Sequence, residues 1–218
     1  MMKVSILATT IGLSVASIAS ADFIGFDGMV SENAEGNTVV VMYGVYDNSD
    51  AIVLNVFGAD IGAPDGFIHS DVQAAAGGSW NPTASIAIPG FSDPSNDSFV
   101  TIGYGGGATD STALDPGFGS GLGGSIPSGA GWYNGNPNNA QAVSAFAGGA
   151  AGLSGFAAML GQFVFTGDEF SFAAEIGANT GAGTDVDFGS GSFSLPIPAP
   201  GALALLGLGG LVARRRRG

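Results

Sequence analysis

No lysine or arginine stands between Ser5 and Ala213 of this 218-residue chain, while all eighteen Asp and Glu residues lie between Asp22 and Asp187. The five basic residues are Lys3 and Arg214 to Arg217, and the single histidine, His69, is the only other side chain able to carry positive charge. Salt bridges therefore cannot hold such a body together. It must rely on apolar burial, backbone hydrogen bonds and, outside a cell, divalent cations. The same pattern argues against phosphate recognition, which works through Lys and Arg, so no nucleic acid is expected as a partner.

Charged residues make up 11% of the chain, against about 25% in an average soluble domain. With 39 glycines, this composition points to a turn-rich extracellular protein. There is no cysteine, which excludes disulfides, thiol catalysis, cysteine-based zinc sites and a lipobox. The body then needs an apolar core of its own, and residues 22–195 are long enough to make one.

Residues 1–21, "MMKVSILATTIGLSVASIASA", carry Lys3 in a short positive start, an apolar stretch from Val4 to Ile18, and Ala19-Ser20-Ala21 before a cut. This is the layout of a signal peptide, with Ala19 and Ala21 as the small residues read by signal peptidase and Asp22 as the mature start. The body reads as β. "NTVVVMYGVYDNSD" alternates, with Val39, Val41, Tyr43 and Val45 on one face and Val40, Met42 and Tyr46 on the other. "AIVLNVFGAD" follows the turn Asp47-Asn48-Ser49-Asp50, so 38–46 and 51–58 are expected to pair as an antiparallel hairpin.

Further strands are expected at 66–69, 84–88, 98–104, 159–166, 169–176 and 185–194, with a second hairpin turning at Thr166-Gly167-Asp168. Between 105 and 158 the glycine-rich sequence reads as long loops that pack Trp132 and Tyr133 onto one end of the domain, with a short helix at 139–147. The expectation is one all-β domain, an antiparallel β-sandwich or jelly roll, at 22–195. A signal peptide precedes it, and 196–218 follows as a tail with a short apolar helix.

Chemistry is thin along the body. His69, in "DGFIHSD", has Asp65, Ser70 and Asp71 nearby, but no G-x-S-x-G elbow surrounds any serine, and a solvated or hairpin-tip histidine is expected. A glycosidase would need two carboxyl groups facing each other, drawn from Glu32, Glu35, Asp168, Glu169 and Glu175, and no pair stands out. No catalytic residue and no cofactor are assigned. Structural calcium has candidate ligands in Asp47, Asp50, Asp185 and Asp187, and in "SDPSNDS" at 92–98, though turn chemistry explains each without metal. Gly119, Gly121 and Gly124 match a dinucleotide fingerprint by letters but lack the strand before and the helix after. Trp80, Trp132, Tyr133 and Tyr104, among glycine- and asparagine-rich segments, are candidate contacts for a sugar.

The chain ends "PIPAPGALALLGLGGLVARRRRG". Gly201 to Ala213 would make a helix of roughly 20 Å against a hydrocarbon core of about 30 Å, short for a permanent span. Arg214, Arg215, Arg216 and Arg217 would act as a cytoplasmic stop. Pro198-Ala199-Pro200-Gly201, the Ala- and Leu-rich stretch and the terminal arginines together resemble the PEP-CTERM protein-sorting domain of bacteria, in a variant with Ala199 in place of the usual central Glu.

That resemblance covers about residues 196–217 and implies an exosortase-type enzyme as partner. The enzyme would hold the tail briefly in the inner membrane, cut near Pro-x-Pro and pass the body to the surface or the exopolysaccharide matrix. The same tail also carries an ice-binding C-terminal label, yet the body has none of the Thr-x-Thr arrays that ice binding favours. "DSFVTIG", "STALDP" and "AGWYNGNP" resemble blocks of uncharacterised secreted bacterial proteins. The expected function is a non-enzymatic surface or matrix protein. A carbohydrate-binding or adhesion module is the main alternative and a glycosidase the third.

Overall fold

The computed structural model describes residues 22–69, 80, 93–103, 111–118, 123–135, 143–180 and 186–196. They form an all-β, antiparallel protein of ten strands in two five-stranded sheets. The first sheet contains β1 (Phe23–Glu32), β2 (Thr38–Tyr46), β8 (Gly155–Phe165) and β4 (Phe99–Val100) in that order, with β7 (Ser144–Phe146) also on β8. The second runs β10 (Val186–Leu195), β9 (Phe170–Thr180), β3 (Ala51–Gly62), β6 (Ala130–Asn134), β5 (Thr112–Leu114).

The period-2 pattern explains which residues go inside. Val40, Met42, Leu160 and Phe163 of the first sheet and Val53, Val56, Phe172, Ile176 and Phe193 of the second join one buried apolar cluster. Rings link the two sheets, as in the edge-on pair of Phe26 and Phe172 with centroids 5.0 Å apart. Phe67 sits among Trp80, Phe163, Phe165 and Phe170 at 5.5–6.4 Å. Such pairs add about 0.5–1.5 kcal/mol each beyond the area they bury, a useful gain in a body without Lys or Arg. A smaller cluster of Val45, Phe146 and Ala157, with Tyr43 and Leu153 packed on it, lies apart from this core.

Both expected hairpins are corrected. β2 pairs with β1 and β8, whereas β3 pairs with β9 and β6, so Asp47–Asp50 carries the chain from one sheet to the other. A four-residue connection can close a hairpin around a type I turn without positive φ, so the local turn leaves the choice of partner open. Asp47–Asp50 contains no glycine, and no described non-glycine residue has positive φ. The Thr166–Asp168 connection likewise joins β8 of the first sheet to β9 of the second. There Phe165 and Phe170 stack face to face across the corner, 5.5 Å apart, and the Thr38 hydroxyl donates to the Gly167 carbonyl at 2.5 Å.

A hairpin that does form is β1–β2, closed over residues 33–37. Asn33 Oδ1 accepts from the Glu35 and Asn37 amides, and Gly36 supplies a φ of 80°. β1 itself was not among the expected strands. The supposed loops at 105–158 contain β5, β6 and β7, and within 139–147 the described residues Ser144–Phe146 are strand rather than helix, paired with β8. Residues 66–69 form no strand, although Ile68 hydrogen-bonds Val164 and Ser98. Among the described residues of 98–104 only Phe99–Val100 is strand, and 84–88 lies outside the described residues.

Candidate functional site

β9 turns Phe170, Phe172, Ala174, Ile176 and Ala178 into the core, which leaves Ser171, Ala173, Glu175 and Gly177 on the opposite face. Cross-strand register sets a row across that outer face. Phe188 of β10 pairs with Gly177, Gly177 with Asn55 of β3, and Asn55 with Tyr133 of β6. Phe188 is 68% exposed and Tyr133 46% exposed. Phe57, one outward position along β3, meets Phe188 edge-on with centroids 6.0 Å apart and pairs in register with the exposed Glu175. A side chain at Gly177 would run into the Asn55 amide and the Phe188 ring, so glycine there lets both lie across β9.

The outward face of the first sheet is closed over by a different device. Asp27, fully buried on β1, accepts the Gly28 amide (2.7 Å) and the Ala151 amide (2.8 Å) at Oδ1, and the Leu153 amide (2.9 Å) at Oδ2. Three oriented N–H dipoles thus take the place of the absent basic partner. The bonds hold the 148–153 segment down beside Phe146 and Tyr43, and Ala150 adds a bond to the Gly28 carbonyl. Sequence reasoning missed Asp27. The signal was a lone carboxylate in the middle of the apolar run "FIGFDGMV".

His69 is buried rather than solvated, with its side chain fully covered and its ring stacked on Trp80 at 4.1 Å and 13°. Nδ1 lies 2.8 Å from the Ser98 carbonyl and 3.4 Å from Asp97 Oδ1, so the acidic neighbour is Asp97. Asp65 instead accepts from Thr166 on the surface, and Ser70 and Asp71 lie outside the described residues. The Ser98 hydroxyl donates to the Val164 carbonyl and accepts the Val164 amide, taking the place of a strand neighbour for β8. With both functions so engaged at a buried position, this hydroxyl supports the ladder.

Of the aromatic candidates, Trp80 and Trp132 belong to the core, and Trp132 Nε1 donates to the Thr101 carbonyl at 2.9 Å. Tyr133 alone of the described candidates reaches solvent; Tyr104 lies outside the described residues. Glu32 ends β1, Glu35 sits in the β1–β2 turn, the adjacent Asp168 and Glu169 share the β8–β9 connection, and Glu175 stands on β9. Asp47 accepts from the Asp22 amide and Asp187 lies on β10 beside a cleft of about 520 Å³ where β1 meets β10. Asp50 sits in the same turn as Asp47, and Asp185 is outside the described residues. Among the described residues no three His, Asp or Glu side chains gather as a metal site.

In "SDPSNDS", Asp93 caps a turn of 3-10 helix at Pro94–Asn96, and its bonds from the Ser95 hydroxyl and amide lower its pKa. Tyr46, on the wall of the cleft, has a hydroxyl with no hydrogen-bond partner among the described residues, and burial raises its pKa. Ala19, Ala21, Pro198, Ala199, Pro200, Gly201 and Arg214 to Arg217 lie outside the described residues. Comparison of the chain with protein-family models, curated proteins and solved structures gives no match.

Proposed function

We propose that the chain is an exported, non-enzymatic surface or matrix protein whose body is a two-layer β-sandwich. Residues 1–21 direct export. Residues 196–217 act as a sorting tail recognised at Pro198-Ala199-Pro200 and stopped in the inner membrane by Arg214 to Arg217. The reading is carried by the fit between the terminal sequences and the strands. β1 begins at Phe23, just past the cut expected after Ala21, and β10 ends at Leu195, just before the tail. Removing both termini would therefore cost the sheets no residue, and it would strip the chain of every Lys and Arg.

Cell fractionation tests this. The full chain is expected in the surface fraction, and a chain ending at Pro196 in the medium. Equal surface retention of both would remove the sorting role from the tail.

A further inference from the structure

We propose that the outer face of the second sheet is a stacking platform for a neutral hexose polysaccharide. Scattered exposed apolar residues are ordinary on a soluble surface. Here, however, Phe188 and Tyr133 stand on one register row, with a glycine and an amide between them. The backbone positions of the two aromatics are three strand spacings apart, about 14 Å, and the Phe188 ring leans over Gly177 toward Phe57; a row of that length exceeds one sugar ring, which favours a polymer over a monosaccharide.

Aromatic faces receive the C–H side of a pyranose through dispersion and desolvation. The Asn55 amide, between the rings, offers both donor and acceptor to ring hydroxyls, and the exposed Glu175 beside Phe57 offers acceptors. Strands rather than loops carry all of these groups, so little ordering entropy is lost on binding.

Charge decides which polymer. With no Lys or Arg between Ser5 and Ala213, an anionic polysaccharide would meet Glu175 and Asp60 on this face without any counter-charge. A second copy of the chain meets the same objection, since its own carboxylates would be brought against these. A neutral chain of hexoses escapes it. The inference draws on the extracellular location proposed above for access to glycans, but its test uses the protein as purified from its producing cells, whether its tail has been cut or not, and so is independent of tail processing.

The test is native affinity electrophoresis of the protein as purified from its producing cells, with or without its tail, in gels cast with hydroxyethyl cellulose, galactomannan or laminarin. Alginate serves as the polyanion. Retardation by at least one neutral polymer and none by alginate is expected. Phe188→Ala and Tyr133→Ala should each weaken it about tenfold, while Val30→Ala, at an exposed site on β1 of the other sheet, should leave it unchanged. Mobility unaffected by every neutral polymer, or retardation that survives Phe188→Ala, would overturn the proposal. So would sedimentation showing a dimer that Phe188→Ala dissociates, since the face would then belong to a second copy.

Discussion

Asp27→Asn separates two accounts of how an all-acidic body stays folded. If repulsion among the eighteen carboxylates dominates, removing one should stabilise the protein. The geometry says otherwise. An Asn side chain keeps one oxygen for the Gly28 and Ala151 amides but turns an NH2 group toward the Leu153 amide, donor against donor. A hydrogen bond to a charged group contributes about 1.5–3 kcal/mol, so losing one and weakening two costs about 3 kcal/mol. Relief of repulsion would act in the opposite direction, so the sign of the net change decides between the two accounts.

Asp27→Ala should cost more, since it leaves the buried Gly28 amide without an acceptor, at about 1–3 kcal/mol, and removes the bonds of the part-buried Ala151 and Leu153 amides as well. Urea unfolding at pH 7 gives the totals. Hydrogen exchange adds the location: in Asp27→Asn the Ala151 and Leu153 amides should lose protection before the β8 and β9 ladders do. An Asn variant as stable as the parent, or more so, would refute the reasoning and show that charge repulsion outweighs the three amide bonds.

Tyr46→Phe should raise stability by about 1 kcal/mol, because it deletes a buried hydroxyl without a partner among the described residues. A lower urea midpoint would reveal that the hydroxyl is bonded. The same substitution bears on alkaline stability. Burial raises the folded pKa of Tyr46, so its contribution is intact below the ordinary tyrosine value of about 10 and is lost as pH climbs past it. The Phe variant should therefore show a shallower decline above that pH. Asp93 has the opposite sign: its lowered folded pKa makes its contribution complete above about pH 4 and lost as pH falls. Asp93→Asn should flatten the acid limb of a stability profile, and an unchanged limb would remove Asp93 from it.

The strands at 38–46, 51–58, 159–166, 169–176 and 185–194 were legible because a buried face demands alternation, and Phe163, Phe172 and Phe193 are buried while Phe188, in the same alternating run as Phe193, is exposed. Which sheet a strand joins was not legible. Val40 and Val53 need an apolar partner layer, and a four-residue turn can supply it by reversing within a sheet or by crossing to the other.

β1 was missed because Asp27, Gly25 and Gly28 interrupt its apolar pattern, and each is explained only by a remote element. Asp27 answers to the 151–153 amides, Gly28 to Phe193 of β10, and Gly25 to Leu153. β5, β6 and β7 are short strands in a glycine-rich stretch, held by neighbours rather than by propensity. The candidate face had the same limit. Tyr133 could be named from its sequence surroundings, but Phe188 and Asn55 join it only through pairing across four strands.

The intact mass of the protein recovered from the cell-surface fraction tests the central claim most directly. Processing at both ends predicts a species that begins at Asp22 and ends near Pro200, without Arg214 to Arg217. A surface species that retains residues 1–21, or that ends in Arg214 to Gly218, would contradict it.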